Sequence, residues 1–255
     1  MPKALLIDTV RCTGCRGCMA ACKQWNLLPA VQTTFSPTMT NPPERNAFTY
    51  VDVEFFEIPK ANGDISWHFV SKRCFHCSSP ACVSVCPVAA LHKRDNGPVA
   101  WDESRCIGCR YCQNACPFDI PKFEWDKAYP KIQKCTLCWD RIEDGMEPAC
   151  AKTCPPSAIE FGERPDVLAA AHTRIATNPG QYQEHIYGEH EAGGTSVFFL
   201  SSVAPEELGF NTDIENDFYP EFTGEFLSRI PLEIAAVAGL MGGALLLRRK
   251  RIKGS

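Results

Sequence analysis

Positive charge is in short supply in this sequence. The 26 Lys and Arg against 30 Asp and Glu leave a formal net charge of -4 over 255 residues. A nucleic-acid-binding chain carries a basic patch or stripe, so no nucleic-acid partner is expected. The opening residues, MPKALLID, lack both an apolar h-region and a twin-arginine pair. No secretory signal is therefore expected, which taken alone points to the cytoplasm. Long apolar runs are scarce as well. The uncharged C-terminal stretch at 234–247 has fourteen residues, nearer a core helix than the roughly 20 of a membrane span.

Cysteine, by contrast, is far above average. All sixteen fall into four groups of four. The first is Cys12, Cys15, Cys18 and Cys22, a C-x2-C-x2-C-x3-C run. The second is Cys74, Cys77, Cys82 and Cys86, with a longer middle gap. The third, Cys106, Cys109, Cys112 and Cys116, repeats the spacing of the first. In the fourth, Cys135, Cys138, Cys150 and Cys154, the middle gap widens to eleven residues. Groups two, three and four end in Cys-Pro, as the bacterial ferredoxin run does. No cysteine is left over.

A cubane needs four thiolates converging from four directions. Three cysteines two residues apart wrap one face of it, and the fourth points away towards the other cluster of a pair. Soft thiolates are the ligands that iron–sulfur clusters select. Gly14, Gly17 and Gly108 leave room for backbone N–H groups near cluster sulfurs. Disulfides staple small secreted domains, whereas 255 residues can bury an ordinary core. Zinc ribbons do not repeat a C-x2-C-x2-C-x3-C run closed by proline. The expected cofactors are four [4Fe–4S] clusters, the expected function is electron transfer, and no catalytic residue is expected.

The remaining segments read as follows. Residues 1–8 form a strand entering the first loop, and a helix continues through Met19 to Trp25. Residues 50–58 alternate as a strand, Asn62 and Gly63 make a turn, and a second strand covers 65–70. The cysteine groups repeat a loop–helix–strand half-unit. Residues 158–162 are a strand, Pro165 and Asp166 open a helix that ends at Asn178, and 195–201 is a strand. Phe210, Phe218, Tyr219, Phe222 and Phe226 lie in an extended arm, either as partner anchors or against the chain's own core.

Extending the uncharged C-terminal stretch back to Phe226 reaches spanning length but admits Arg229, Pro231 and Glu233. These would sit at the interface end, where Arg snorkels and Pro suits a helix start. Gly239 and Gly243 offer a packing face, and the basic residues at 248–253 mark the cytoplasmic end. A single transmembrane helix at 226–247 is expected on this reading. The lipid bilayer would be the bacterial inner (cytoplasmic) membrane, with the cluster domain on its outer, periplasmic face and the C-terminus cytoplasmic. Export of the cluster domain would then ride on a signal-bearing partner.

The order of the four groups, with KCTLCWDR at 134–141 and EPAC at 147–150, resembles the electron-transfer beta subunits of the molybdopterin oxidoreductases. CTGCRGC at 12–18 and CKQWN at 22–26 are most similar to the beta subunit of membrane-bound formate dehydrogenase. The resemblance covers essentially the whole chain. It implies an α+β fold of two ferredoxin-like two-cluster lobes related by internal repeat. Residues 1–30 and 129–162 would form the first lobe, 31–70 an inserted hairpin and 71–128 the second lobe. A helix, strand and partner-contacting arm would follow at 163–225, then the transmembrane helix and a basic tail at 248–255. One cluster would take Cys12, Cys15, Cys18 and Cys154, and its lobe-mate Cys135, Cys138, Cys150 and Cys22. The second lobe would hold Cys74, Cys77, Cys82 with Cys116, and Cys106, Cys109, Cys112 with Cys86. Lys23 departs from the pattern, standing where proline follows the fourth cysteine elsewhere. The implied partners are a molybdopterin-containing, formate-oxidising subunit (molybdenum or tungsten) and a membrane cytochrome b-type subunit leading to quinone. Basic residues beside the ligands, Arg16, Lys72, Arg73, Arg105, Arg110, Lys134 and Lys152, would raise cluster potentials or form ordinary surface ion pairs. Two other classes stay open: the iron–sulfur subunit of a hydrogenase, polysulfide or sulfoxide reductase, and a free-standing polyferredoxin.

Overall fold

The computed structural model describes residues 1–60 and 62–253, and the side chains of all these except 222–227 and 245–253. It divides into a unit at 1–217 and a second at 218–255. The first unit is built around a three-stranded sheet. Its central strand β1 (Lys3–Asp8) pairs antiparallel with the strand after the last cysteine group, here called β8 (Ile159–Glu163). On its other edge β1 pairs parallel with β9 (Val197–Leu200). Successive side chains of a strand face opposite ways, and β1 is apolar on both faces. Ala4 and Leu6 join Phe198, Leu200 and Ala171 in one core, while Leu5 and Ile7 join Val197 and Phe199 in the other.

Between β1 and β8 lie three short hairpins and five of the helices. The hairpin strands are β2 (Asp52–Pro59) with β3 (Ile65–Lys72), β4 (Leu91–Lys93) with β5 (Val99–Trp101), and β6 (Lys122–Phe123) with β7 (Ile132–Gln133). The helices are α1 (Gly17–Trp25), α2 (Ala81–Ser84), α3 (Tyr111–Asn114), α4 (Trp139–Glu143) and α5 (Ala149–Lys152). Helix α6 (Arg164–Thr177) follows β8 and packs over β1 and β8.

Proline decides the helix lengths. Helices α2, α3 and α5 each stop two residues before Cys86, Cys116 or Cys154, and each of these cysteines precedes a proline. Proline has no N–H to donate and pushes the residue before it out of the helical region. Three residues past each cysteine the backbone turns left-handed, at Ala89, Asp119 and Ser157, all with φ 49°. Helix α1 meets Lys23 instead, so it runs through Cys22 to Trp25.

The second unit is a single helix, α7 (Tyr219–Lys253), interrupted in sequence by Pro231. The expectation of a transmembrane helix at 226–247 does not hold: among the described residues, no helix is long and apolar enough to cross a membrane. The physical reason is length. Fourteen uncharged residues rise about 21 Å as a helix, short of the ~30 Å hydrocarbon core. Arg229 and Glu233 lie inside the extension that made up the difference. The single-pass inner-membrane location, its bilayer contact and its orientation fall with the helix. The basic tail lies outside the residues whose side chains are described, as do Phe222 and Phe226. Of the other arm aromatics, Phe210 is buried against Phe199 and Tyr187 of this chain, and Phe218 is exposed.

Candidate functional site

Helix packing gathers the cysteines. Helix α1 lies against α5, joining the first and fourth groups, and α2 lies against α3, joining the second and third. Four quartets result, each mixing two groups. One cavity is lined by Cys12, Cys15, Cys18 and Cys154. Another is lined by Cys106, Cys109, Cys112 and Cys86. Between them, Cys22 lies among Cys135, Cys138 and Cys150, and Cys77 among Cys74, Cys82 and Cys116. In every quartet the fourth cysteine of one group stands with three of another, which is the crossing of the bacterial ferredoxin run.

The quartets adjoin one another in series. Cys18 of the first neighbours Cys150 of the second, Cys135 of the second neighbours Cys74 of the third, and Cys82 of the third neighbours Cys112 of the fourth. Most of the sixteen thiols are buried or half-buried. Only Cys15 and Cys109 are exposed, one in each terminal quartet.

Glycine is required at two of the three places where the sequence suggests it. Gly14 has φ +66° and a Cβ there would sit 2.9 Å from the Phe69 ring. Gly108 has φ +69° and a Cβ there would sit 2.6 Å from the Pro130 carbonyl oxygen. Gly17 is different: it opens α1, and a Cβ would meet nothing closer than 3.5 Å.

Do these residues fit [4Fe–4S] clusters? Without a metal, these cysteines are poorly placed as thiolates. Burial pushes Cys12 up to about 11 and Cys112 up to about 12, with neighbouring thiolates adding to the rise. Cys22 is raised well above 9 by burial and then by Cys135, Cys150 and Cys138. Gathering them as thiolates is unfavourable until cations neutralise the charge, and iron does so. Among the described residues no three His, Cys, Asp or Glu close tightly around one point as a single ion needs. Donors already converge on the sulfurs: Ala90 N–H on Cys86 Sγ at 3.2 Å, Leu137 N–H on Cys135 Sγ at 3.4 Å, and Asn26 Nδ2 on Cys22 Sγ at 3.6 Å.

His76 supplies a further sign. It is fully buried, and its Nδ1 accepts the Val99 N–H at 2.9 Å. Burial holds the ring neutral, reinforced by Lys134, Lys93 and Arg73. With Nδ1 accepting, Nε2 carries the proton, yet it has no partner within the protein. An orphaned buried donor costs about 1–3 kcal/mol, and a sulfide of a cluster in the adjoining Cys74–Cys77 loop would satisfy it. The residues fit the cofactor.

The basic residues flanking the ligands separate into two kinds. Arg73 is fully buried and donates from Nη1 to Cys150 Sγ at 2.8 Å. Lys134 is buried and donates to the Val99 and Cys135 carbonyls. Lys72 pairs with Glu54 at 2.7 Å, Arg16 lies over the Phe55 ring, and Arg110 lies over Phe123 and Trp125. Arg105 reaches the Ala89 carbonyl at 3.4 Å and lies near Asp102, and among the described residues no hydrogen bond or ion pair defines a role for Lys152. Ser71, His76 and Lys93 escape the sequence reading. Lys93 ties down the His76 and Cys77 carbonyls at 3.0 and 2.8 Å. A separate cleft of about 430 Å³ contains Glu54, Lys72, Asp119 and Lys122, whose charges pair with one another, and no cysteine.

Paired helices, crossed quartets and a lobe-by-lobe repeat define a protein of the dicluster ferredoxin class. Models of the 4Fe-4S dicluster domain match residues 11–90 and 65–164. The formate dehydrogenase 2 subunit beta (cytochrome c-553) of Nitratidesulfovibrio vulgaris is 40% identical over 184 residues, covering 69% of this chain and 83% of its own length. The nitrate-inducible formate dehydrogenase iron-sulfur subunit of Escherichia coli K12 is 38% identical over 200 residues, 77% of this chain and 67% of its own. The Hydrogenase-2 operon protein HybA of Escherichia coli O157:H7 is 34% identical over 233 residues, 80% of this chain and 71% of its own. The chain belongs to the family of iron–sulfur electron-transfer subunits that includes the formate dehydrogenase beta subunits. It carries four [4Fe–4S] clusters and is an electron-transfer subunit that works with a catalytic subunit.

Proposed function

We propose that this chain is the wire of a formate dehydrogenase, with the sixteen cysteines ligating in the four crossed quartets described above. A [4Fe–4S] cluster, when bound, takes up and gives up one electron at a time. The protein's own part is to hold the thiolates, to keep water from the inner quartets and to point N–H groups at sulfur. The catalytic partner is a molybdopterin-containing subunit that oxidises formate. The acceptor is a b-type cytochrome.

The observation that carries this reading is the series of adjoining quartets with exposed cysteines only in the first and the last. A storage protein or a structural metal domain has no use for such an arrangement, whereas a wire between two partners needs it. A second reading, in which the catalytic partner is a hydrogenase, draws on the likeness to the Hydrogenase-2 operon protein. The test is to purify the complex anaerobically, add formate or dihydrogen, and follow cluster reduction by visible bleaching and electron paramagnetic resonance. Reduction by formate supports the first reading. Reduction by dihydrogen alone supports the second and overturns the first.

A further inference from the structure

Strand β3 ends in Ser71 and Lys72 and runs straight into Arg73 and Cys74. Alternation sends Ser71 and Arg73 to one face and Lys72 to the other. Lys72 turns to Glu54 and the Gly209 carbonyl. Arg73 is driven into the protein and is fully buried. A guanidinium without water needs opposing charge and a partner for each N–H.

Its partners are unusual. Nη1 donates to Cys150 Sγ at 2.8 Å, and Nη2 donates to Ser71 Oγ. Ser71 Oγ in turn lies 3.1 Å from Cys18 Sγ. Nε lies 3.4 Å from the Ser71 carbonyl. One planar fork thus joins sulfurs of two different quartets: Cys150 directly, and Cys18 through a hydroxyl. Burial alone would lower the basicity of Arg73, but the thiolates of Cys150, Cys18, Cys135 and Cys22 more than offset it. The largest opposing charges come from cysteine sulfurs of the first two quartets.

We propose that Arg73, with Ser71 as its second arm, is shared by the first two clusters of the wire and raises the reduction potentials of both. The inference rests on the crossed quartets proposed above. A cluster gaining an electron becomes one charge more negative, and a cation held beside it in a low-dielectric interior favours that form. Hydrogen bonds to ligand sulfur act in the same direction. Arginine suits the place because its rigid fork serves two directions at once, whereas a lysine ammonium is a single point charge. Arg73 directly follows β3 and precedes Cys74, so the segment that leads from the hairpin into the second cysteine group also tunes the lobe of the first and fourth groups.

The test is a redox titration of the anaerobic full-length holoprotein followed by electron paramagnetic resonance. Cys18→Ser and Cys150→Ser variants assign the two signals. In iron-replete Arg73→Met, two of the four midpoints should move to more negative potential, those of the Cys18 and Cys150 clusters, with the other two moving less. Arg73→Lys should recover part of the shift. Unmoved potentials in iron-replete Arg73→Met, or a shift confined to one cluster, would overturn the proposal and leave the quartets standing. Cys18→Ser and Cys150→Ser perturbing one and the same signal would overturn the quartets and the proposal together. Should Arg73→Met fail to retain iron, Ser71→Ala decides: it keeps the cation, and the Cys18 cluster must fall in potential more than any other, an unmoved midpoint again overturning the proposal.

Discussion

The first and third cysteine groups have the same spacing and take equivalent places in the two terminal quartets, yet they are finished differently. Each gives three cysteines to a terminal quartet, exposes the middle one, and sends its fourth inward. Each has an arginine in left-handed conformation before its helix, Arg16 with φ 59° and Arg110 with φ 65°. At the first end, the hairpin residues Phe55 and Phe69 close over Gly14, and Arg16 lies on Phe55. At the other end, Arg110 lies on Phe123 and Trp125, and Ile107, Tyr111, Trp125 and Tyr129 are exposed. Inside, Cys22 sits within a helix that Lys23 allows to continue, whereas α3 ends at Asn114, ahead of Cys116 and Pro117. The cysteine spacing fixes the ligand geometry. The flanking residues then fit one end and the other to different neighbours.

The largest expected effect breaks a quartet across the two groups that share it. Cys154→Ser should cost the cluster of Cys12, Cys15 and Cys18, far away in sequence, seen as loss of about four irons per chain and of one paramagnetic signal. Loss of the Cys135 signal instead would undo the pairing. Next comes the helix difference itself. Lys23→Pro would impose on the first group the ending of the third. It removes an N–H and clashes one turn back in α1, at about 3 kcal/mol. A fall in the thermal midpoint with iron loss centred on the Cys22 cluster is expected.

The two glycines sharpen the comparison at smaller scale. Gly108→Ala meets a backbone carbonyl that cannot step aside, and should cost about 2 kcal/mol or more. Gly14→Ala meets the Phe69 ring, which can shift, and should cost less. Gly17→Ala should be near neutral, its site being helical and open. Denaturant midpoints of the three variants would rank them. Smallest of all, ending the chain after Asp217 should leave iron, sulfide and the melting of the cluster unit unchanged, since the boundary falls between two units. Iron loss on that truncation would mean that α7 supports the clusters.

The four groups, the helix endings and the strands at 1–8 and 158–162 are legible in sequence because each depends on neighbours a few residues away. Cysteine spacing, proline after a ligand and alternation are all local. Arg73 is legible only as a basic residue beside a ligand, and Ser71 and His76 are not singled out by the sequence at all. Their roles come from a fold that carries β3 between two quartets and sets Val99 beside the imidazole. The uncharged stretch with its basic stop reads as a spanning helix, but the residues of α7 do not supply the length. Composition could not decide between core and partner for Phe210, and its ring lies among Phe75, Tyr187 and Phe199.

Diffraction at the iron absorption edge from the anaerobic holoprotein tests the central claim most directly. Four iron centres should lie in one line, with Cys154 on the centre of Cys12, Cys15 and Cys18, and Cys22 on that of Cys135, Cys138 and Cys150. Cys154 bound with Cys135 and Cys138, or fewer than four centres in a fully loaded chain, would contradict it.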